Sequence, residues 1–269
     1  MKYLIRIQLI ALLTQYSLYA QTNTNEPKPS GYSDLVELFR EWRAFEKAPS
    51  YKLAPDYREE TFQKRRPEFE QLQNTLLSID YSTWPVEQQV DWTIVWAEMN
   101  GYDFNDRILK PWVRDPAFYK SIWTDRSDVP AHEGPVHHGI TELWTYEFPL
   151  SRSEESRLLE DLKVIPSLNT QAKINLTGNA RDLWIAGIRD ISTQSDDLKL
   201  IIDQPGVKEN QDLHAAIEAA IASTDDLVSW LVSKSATKTG PSGIGKEAYS
   251  WYQQNVHLVP PSLLDQILL

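Results

Sequence analysis

The chain contains no cysteine, so neither a disulfide nor a thiolate metal site is open to it, and its stability has to come from its core. Positive charge is also short. Lys and Arg total 27 against 38 Asp and Glu, a formal charge of −11, whereas a nucleic-acid partner demands clustered cations to neutralise phosphates. That class of partner is excluded. The single basic cluster, Lys64-Arg65-Arg66, runs into Pro67 and Glu68 and reads as a solvated helix face. Beyond the N-terminal segment no stretch approaches the roughly 20 apolar residues of a membrane span. Period-two alternation long enough for a sheet is missing, as are internal repeats and a Gly-x-Ser-x-Gly elbow. Gly243-Ile244-Gly245-Lys246 lacks the spacing and the Ser or Thr of a phosphate loop.

What is present begins with Lys2 and Arg6, an apolar run from Ile7 to Leu13, and Ser17-Leu18-Tyr19-Ala20 before Gln21. Basic, apolar and small residues in that order predict a signal peptide over 1–20 and an exported protein, periplasmic, extracellular or attached to the cell surface. Residues 21–30 are expected to form a polar tether, and 31–269 a helical domain. Ten Trp, twelve Tyr and seven Phe give this domain enough area to build a core without disulfides.

Leu35, Leu38, Phe39, Trp42 and Phe45 recur at helical spacing and predict a helix over 34–47, with Ser33 or Asp34 as cap. Phe62, Phe69, Leu72, Leu76 and Ile79 continue the period in a second helix. Thr83-Trp84-Pro85 opens a third, carrying Val90, Trp92, Val95, Trp96 and Met99. Ser151 and Glu154 have capping-box spacing ahead of Leu158, Leu159 and Leu162, and Pro166 separates that helix from one ending near Leu176. Further helices are expected over 180–202 and 207–233, the latter marked by Leu213, Ile217, Ala220, Leu227 and Leu231. The fold class is all-α: a multi-helix, bundle-like array with a long irregular, aromatic-rich loop between Lys110 and Pro149, where five prolines forbid long helices. After a Ser-, Thr- and Gly-rich hinge, 262–269 begin an amphipathic helix of only two turns, which gives the sequence the look of an incomplete domain.

One stretch attracts chemical interest. His132-Glu133-Gly134-Pro135-Val136-His137-His138 gathers neutral imidazoles around a carboxylate, the donors of a hydrolytic zinc site. The helical zinc-peptidase motif places its second His at i+4, where this chain has Val136, so only a loop-borne set of His132, Glu133 and His138 is available as metal ligands. No catalytic residue and no other cofactor site emerges.

Three stretches in order carry a resemblance: Asn105-Asp106-Arg107 with Trp112 to Tyr119, Ile165-Pro166 with Ala172 to Leu176, and Gly245 to Tyr252 leading to Pro261. Together they resemble the amino-terminal half of domain-of-unknown-function family 885, mainly helical bacterial proteins grouped with zinc-dependent peptidases. The resemblance implies an exported, zinc-peptidase-like hydrolase whose metal motif, a His-Glu pair followed by Pro-Gly-His, has no counterpart here. On that expectation the chain is the non-catalytic N-terminal portion, inactive alone, with a C-terminal half or a peptide-like substrate as its partner. The alternatives are a self-sufficient periplasmic binding module using the aromatic loop, and a small metal-dependent hydrolase using His132 to His138.

Overall fold

The computed structural model describes residues 31–126, 137–260 and 263. The chain is mainly α, and its helices pack as a bundle-like array. Helices α1 (Tyr32–Glu46), α2 (Glu59–Ser78) and α3 (Val86–Phe104) form the N-terminal part. Their apolar stripes meet in one cluster that includes Leu35, Leu38, Trp42, Phe69, Leu76 and Met99. Trp42 and Phe69 have no exposed surface, and removing a side chain of that size would cost about 3–5 kcal/mol. The Asp34 carboxylate accepts from the Gly31 N–H at 3.0 Å, so the cap of α1 is Gly31 with Asp34 reaching back. At the far end of α2, the Trp92 indole N–H donates to the Leu76 carbonyl at 3.1 Å and satisfies one of the orphan acceptors of that helix.

Between α1 and α2, β1 (Ser50–Tyr51) pairs antiparallel with β2 (Ala54–Pro55) through a two-residue turn in which Lys52 and Leu53 both have positive φ. Such turns favour Asn-Gly, which is why a Lys-Leu pair does not announce one. After α3 the ladder loosens into a π-helical turn, Asn105–Leu109, and Lys110 turns left-handed ahead of α4 (Pro111–Arg114). A 3₁₀ turn at Pro116–Tyr119 follows, and β3 (Ile122–Trp123) pairs in parallel with β4 (Thr141–Glu142). Two-residue ladders are the extent of β structure among the described residues, consistent with the missing alternation.

The C-terminal part comprises α5 (Arg152–Leu162), α6 (Val164–Asn175), α7 (Arg181–Ile202), α8 (Gln211–Ser235) and α9 (Lys246–Asn255). Ser151 caps α5 as expected: its hydroxyl accepts from the Glu154 N–H at 3.3 Å and the Glu154 carboxylate accepts from the Ser151 N–H at 2.8 Å. The break before α6 falls at Lys163, and Pro166 sits inside the first turn of the new helix, where its missing N–H has no intrahelical role. Helices α7 and α8 run antiparallel, and the latter starts at Gln211 rather than 207 because the Asn210 side chain accepts from the Leu213 N–H at 3.1 Å and caps it. No helix among the described residues is long and apolar enough to cross a membrane.

The proline-rich segment is not a free loop where it is described. Trp112, Phe118, Tyr119, Ile122, Leu143 and Tyr146 are buried in the clusters beneath α6, α7 and α8. Gly187 of α7 makes this possible. A Cβ there would lie 2.7 Å from Pro116 Cβ and 2.8 Å from the Ala117 nitrogen, so only glycine admits the 3₁₀ turn so close to the helix.

Candidate functional site

Where the N-terminal helices face the buried aromatic segment, a cleft of about 660 Å³ remains. Its size is ordinary for a small-molecule site. Arg43 and Glu46 on α1, Arg65 on α2 and Tyr102 on α3 supply one wall. Tyr57, Trp112, Phe118 and His138 supply the other, and Tyr252 on α9 closes an end. A smaller cleft of about 480 Å³, reaching Leu53 and Asp161, shares His138 with it.

Each wall is fixed by identifiable bonds. Tyr57 is held by amides from α6: its N–H donates to Gln171 Oε1 at 3.1 Å and its carbonyl accepts from Asn175 Nδ2 at 2.9 Å. The same Asn175 amide donates to the Tyr119 hydroxyl at 3.0 Å, and Tyr119 donates to the Trp112 carbonyl at 2.8 Å. Gln194 of α7 accepts from the Ser121 and Ile122 N–H groups at 2.6 and 3.1 Å and donates to Thr224 of α8 at 3.0 Å. These buried amides anchor the irregular segment to the bundle, because a buried backbone N–H left unbonded is costly. Phe62 stacks on Trp112 with ring centroids 3.9 Å apart, making an aromatic floor. On the other side, Asn100 Nδ2 donates to the Asn255 carbonyl at 3.1 Å, and Phe104 lies 4.9 Å from the Tyr252 ring. Together they dock α9 against α3.

The charged groups are arranged differently from the sequence expectation. Of Lys64-Arg65-Arg66 only Lys64 is exposed as a solvated face would require. Arg65 is half-buried, laid over the Phe45 ring at 4.3 Å, and it donates to the carbonyl oxygens of Phe45 and Lys47 at the end of α1. Arg66 pairs with Glu70 at 2.9 Å and Asp103 at 2.6 Å, tying α2 to α3. Exposed helix ends and carboxylates on neighbouring elements, invisible in a linear reading, pull both side chains inward. Arg43 bridges Glu46 at 2.8 Å and Glu98 at 3.1 Å. Asp56 accepts twice from the Arg58 guanidinium, once from the Arg58 backbone N–H and once from the Thr61 hydroxyl at 2.7 Å; burial opposes its ionisation, but these donors hold its carboxyl below the ordinary range.

The histidine-rich stretch divides. His132 and Glu133 lie outside the described residues. His137 is 1% exposed, and both of its nitrogens are engaged. Nε2 donates to the Lys120 carbonyl at 2.8 Å and Nδ1 accepts from the Gly139 N–H at 2.8 Å, so no lone pair is left for a metal. Burial pushes its pKa down to about 4. His138 stands on the cleft rim, its N–H donating to the Tyr57 hydroxyl oxygen at 2.8 Å. Desolvation lowers its pKa, with Glu46 opposing and Arg65 and Lys47 assisting. Among the described residues no three His, Asp or Glu side chains converge as a metal set. The zinc that the resemblance implies therefore finds no fit in the described residues.

Sequence reasoning singled out His138 but not Tyr57, Arg65, Tyr102 or Tyr252 as neighbours. Arg65 carried a signal in its basic cluster, and Tyr252 in the third resembling stretch. Tyr57 and Tyr102 carried none. No family model matches the chain, and neither the curated proteins nor the solved structures contain a match.

Proposed function

We propose that this chain is an exported ligand-binding module of the zinc-peptidase-like family it resembles, and that the cleft beside Tyr57 holds a peptide-like ligand without cleaving it. One observation carries the reading. The stretches behind the resemblance lie far apart in the chain, yet Asn105, Trp112, Phe118 and Tyr252 from two of them line this one cleft, and Asn175 from the other fixes Tyr57 at its wall. An aromatic floor bordered by a few fixed polar groups suits a ligand with apolar side chains and an amide backbone. Binding rather than bond cleavage is proposed because no three His, Asp or Glu side chains converge among the described residues and both nitrogens of His137 are already engaged.

The test is saturation-transfer NMR on the full chain with a mixture of short peptides. Contacts are expected in the wild type and should fall sharply in Tyr252→Ala; a wild type that no peptide touches would refute the reading. Zinc-supplemented chain is expected to leave the peptides intact. Hydrolysis with stoichiometric zinc, lost in both His132→Ala and His138→Ala, would replace this reading with a loop-borne metal hydrolase.

A further inference from the structure

The two arginines in the cleft differ in how their charge is met. Arg43 faces the carboxylates of Glu46 and Glu98, so its charge is already neutralised. Arg65 forms no ion pair among the described residues; its partners are the carbonyl oxygens of Phe45 and Lys47 and the face of the Phe45 ring. A half-buried guanidinium so arranged keeps donors for an anion, and an anion offsets the desolvation it has already undergone.

Two phenols stand beside it. Tyr57 is 5% exposed, and its oxygen accepts from the His138 N–H, but nothing among the described residues accepts its hydroxyl proton. The Tyr102 hydroxyl likewise bonds to no described residue, and both tyrosines line the cleft. Burial raises the pKa of each, Tyr102 to about 12, while the charge of Arg65 acts on both in the opposite sense, so all three groups share one neighbourhood. At neutral pH both phenols are protonated and able to donate. Glu46 also faces this corner, since its charge is felt by His138 and by Tyr102. That neighbour penalises a doubly charged phosphate more than a singly charged carboxylate. Further along, Asn105 Oδ1 is buried without a partner in the same cleft, an acceptor suited to an amide N–H.

Resting on the reading of the cleft as a ligand site, we infer that it seats the C-terminal carboxylate of a peptide on Arg65, with the Tyr57 and Tyr102 hydroxyls as flanking donors. The terminal side chain lies on the Phe62–Trp112 floor, and Asn105 Oδ1 takes a backbone N–H. The ligand class is therefore a peptide or N-acyl amino acid ending in a free carboxylate after an aromatic residue.

Isothermal titration of the full chain with N-acetyl-Ala-Phe and with its C-terminal amide separates the possibilities without any variant. The acid should bind at least tenfold more tightly, the effect of one charge-assisted hydrogen bond. That preference should vanish in Arg65→Gln and shrink several-fold in Tyr57→Phe, with folding checked by circular dichroism. Should Arg65→Gln fail to fold because it caps α1, the shape-preserving Tyr57→Phe carries the comparison. Equal affinity for acid and amide would overturn the carboxylate seat and leave the cleft reading standing. Absence of binding by either, while other peptides still contact the cleft in the NMR experiment, would overturn the seat alone. Absence of all contact would overturn both.

Discussion

Lowering the pH should destabilise this protein through His137 in a way that can be separated from its carboxylates. The imidazole is fully buried and satisfied only as the neutral Nε2–H tautomer, donating to Lys120 O and accepting from Gly139 N. Protonation would force a second donor against the Gly139 N–H. The folded-state pKa is about 4 against an ordinary 6.5. Because the folded value is the lower one, the stability it contributes is fully present above pH 6.5 and is lost as pH falls through 4. At 1.36 kcal/mol per pKa unit, moving from pH 7.5 to 4.5 removes about 2.5 kcal/mol. Urea unfolding of wild type and His137→Gln at both pH values isolates this group, since other titrations cancel in the difference. The variant should be the less stable at pH 7.5, and the gap should narrow by about 2.5 kcal/mol at pH 4.5. Long-range ¹H–¹⁵N spectra should show Nε2 protonated and one histidine that does not titrate above pH 5. A His137 titrating above pH 6, or a gap independent of pH, would refute the argument.

Other consequences can be measured on the same preparations. Asp115 accepts from the Ala117 N–H, but burial, with Asp190 nearby, raises its pKa to about 6, so its cost appears as pH rises from 3.8 through 6. Asp115→Asn keeps the acceptor and removes the charge; urea unfolding should show it stabilised by up to about 3 kcal/mol at pH 7.5 and hardly at all at pH 4. Gly187→Ala forces a methyl against Pro116 and Ala117, and should lose about 1–2 kcal/mol after the helix-propensity gain is credited, read as a lower melting temperature. Gln194→Leu leaves the buried Ser121 and Ile122 N–H groups without their acceptor, which should cost about 2–4 kcal/mol in the same denaturation assay. A loss under 1 kcal/mol would mean that another acceptor takes over.

The helices were legible where one face repeats every three to four residues. Leu35, Leu38, Trp42 and Phe45 name both the helix and its buried side, and Ser151 with Glu154 names a helix start by a local bond. Local signals stop at the cleft. Tyr57, His138 and Tyr252 meet there from separations of eighty residues and more, and nothing in their neighbours specifies the meeting. Buried amides are similarly silent, because Gln171 and Gln194 look in sequence like any polar position on an exposed helix face. Only the needs of the irregular segment, the Ser121 and Ile122 N–H groups that Gln194 accepts among them, explain why glutamine is inside. In the described parts of 111–149 the helical turns are short, as the prolines there require, but a proline count carries no information on whether such a segment is draped outside or folded under.

Those amides also decide how the two walls of the cleft would respond to brine. Salt near 1 M shortens the screening length to about 3 Å, weakening half-exposed ion pairs such as Arg43 to Glu98 on the α1 and α3 side. Glutamine and asparagine bear no net charge, so the contacts that hold Tyr57 and the segment behind it are indifferent to dissolved ions. Beyond the apolar cluster that both salt conditions leave in place, the polar ties of one wall are of a kind that seawater would slacken and those of the other are not, so ionic strength acts on the site's polar fastening from one side only.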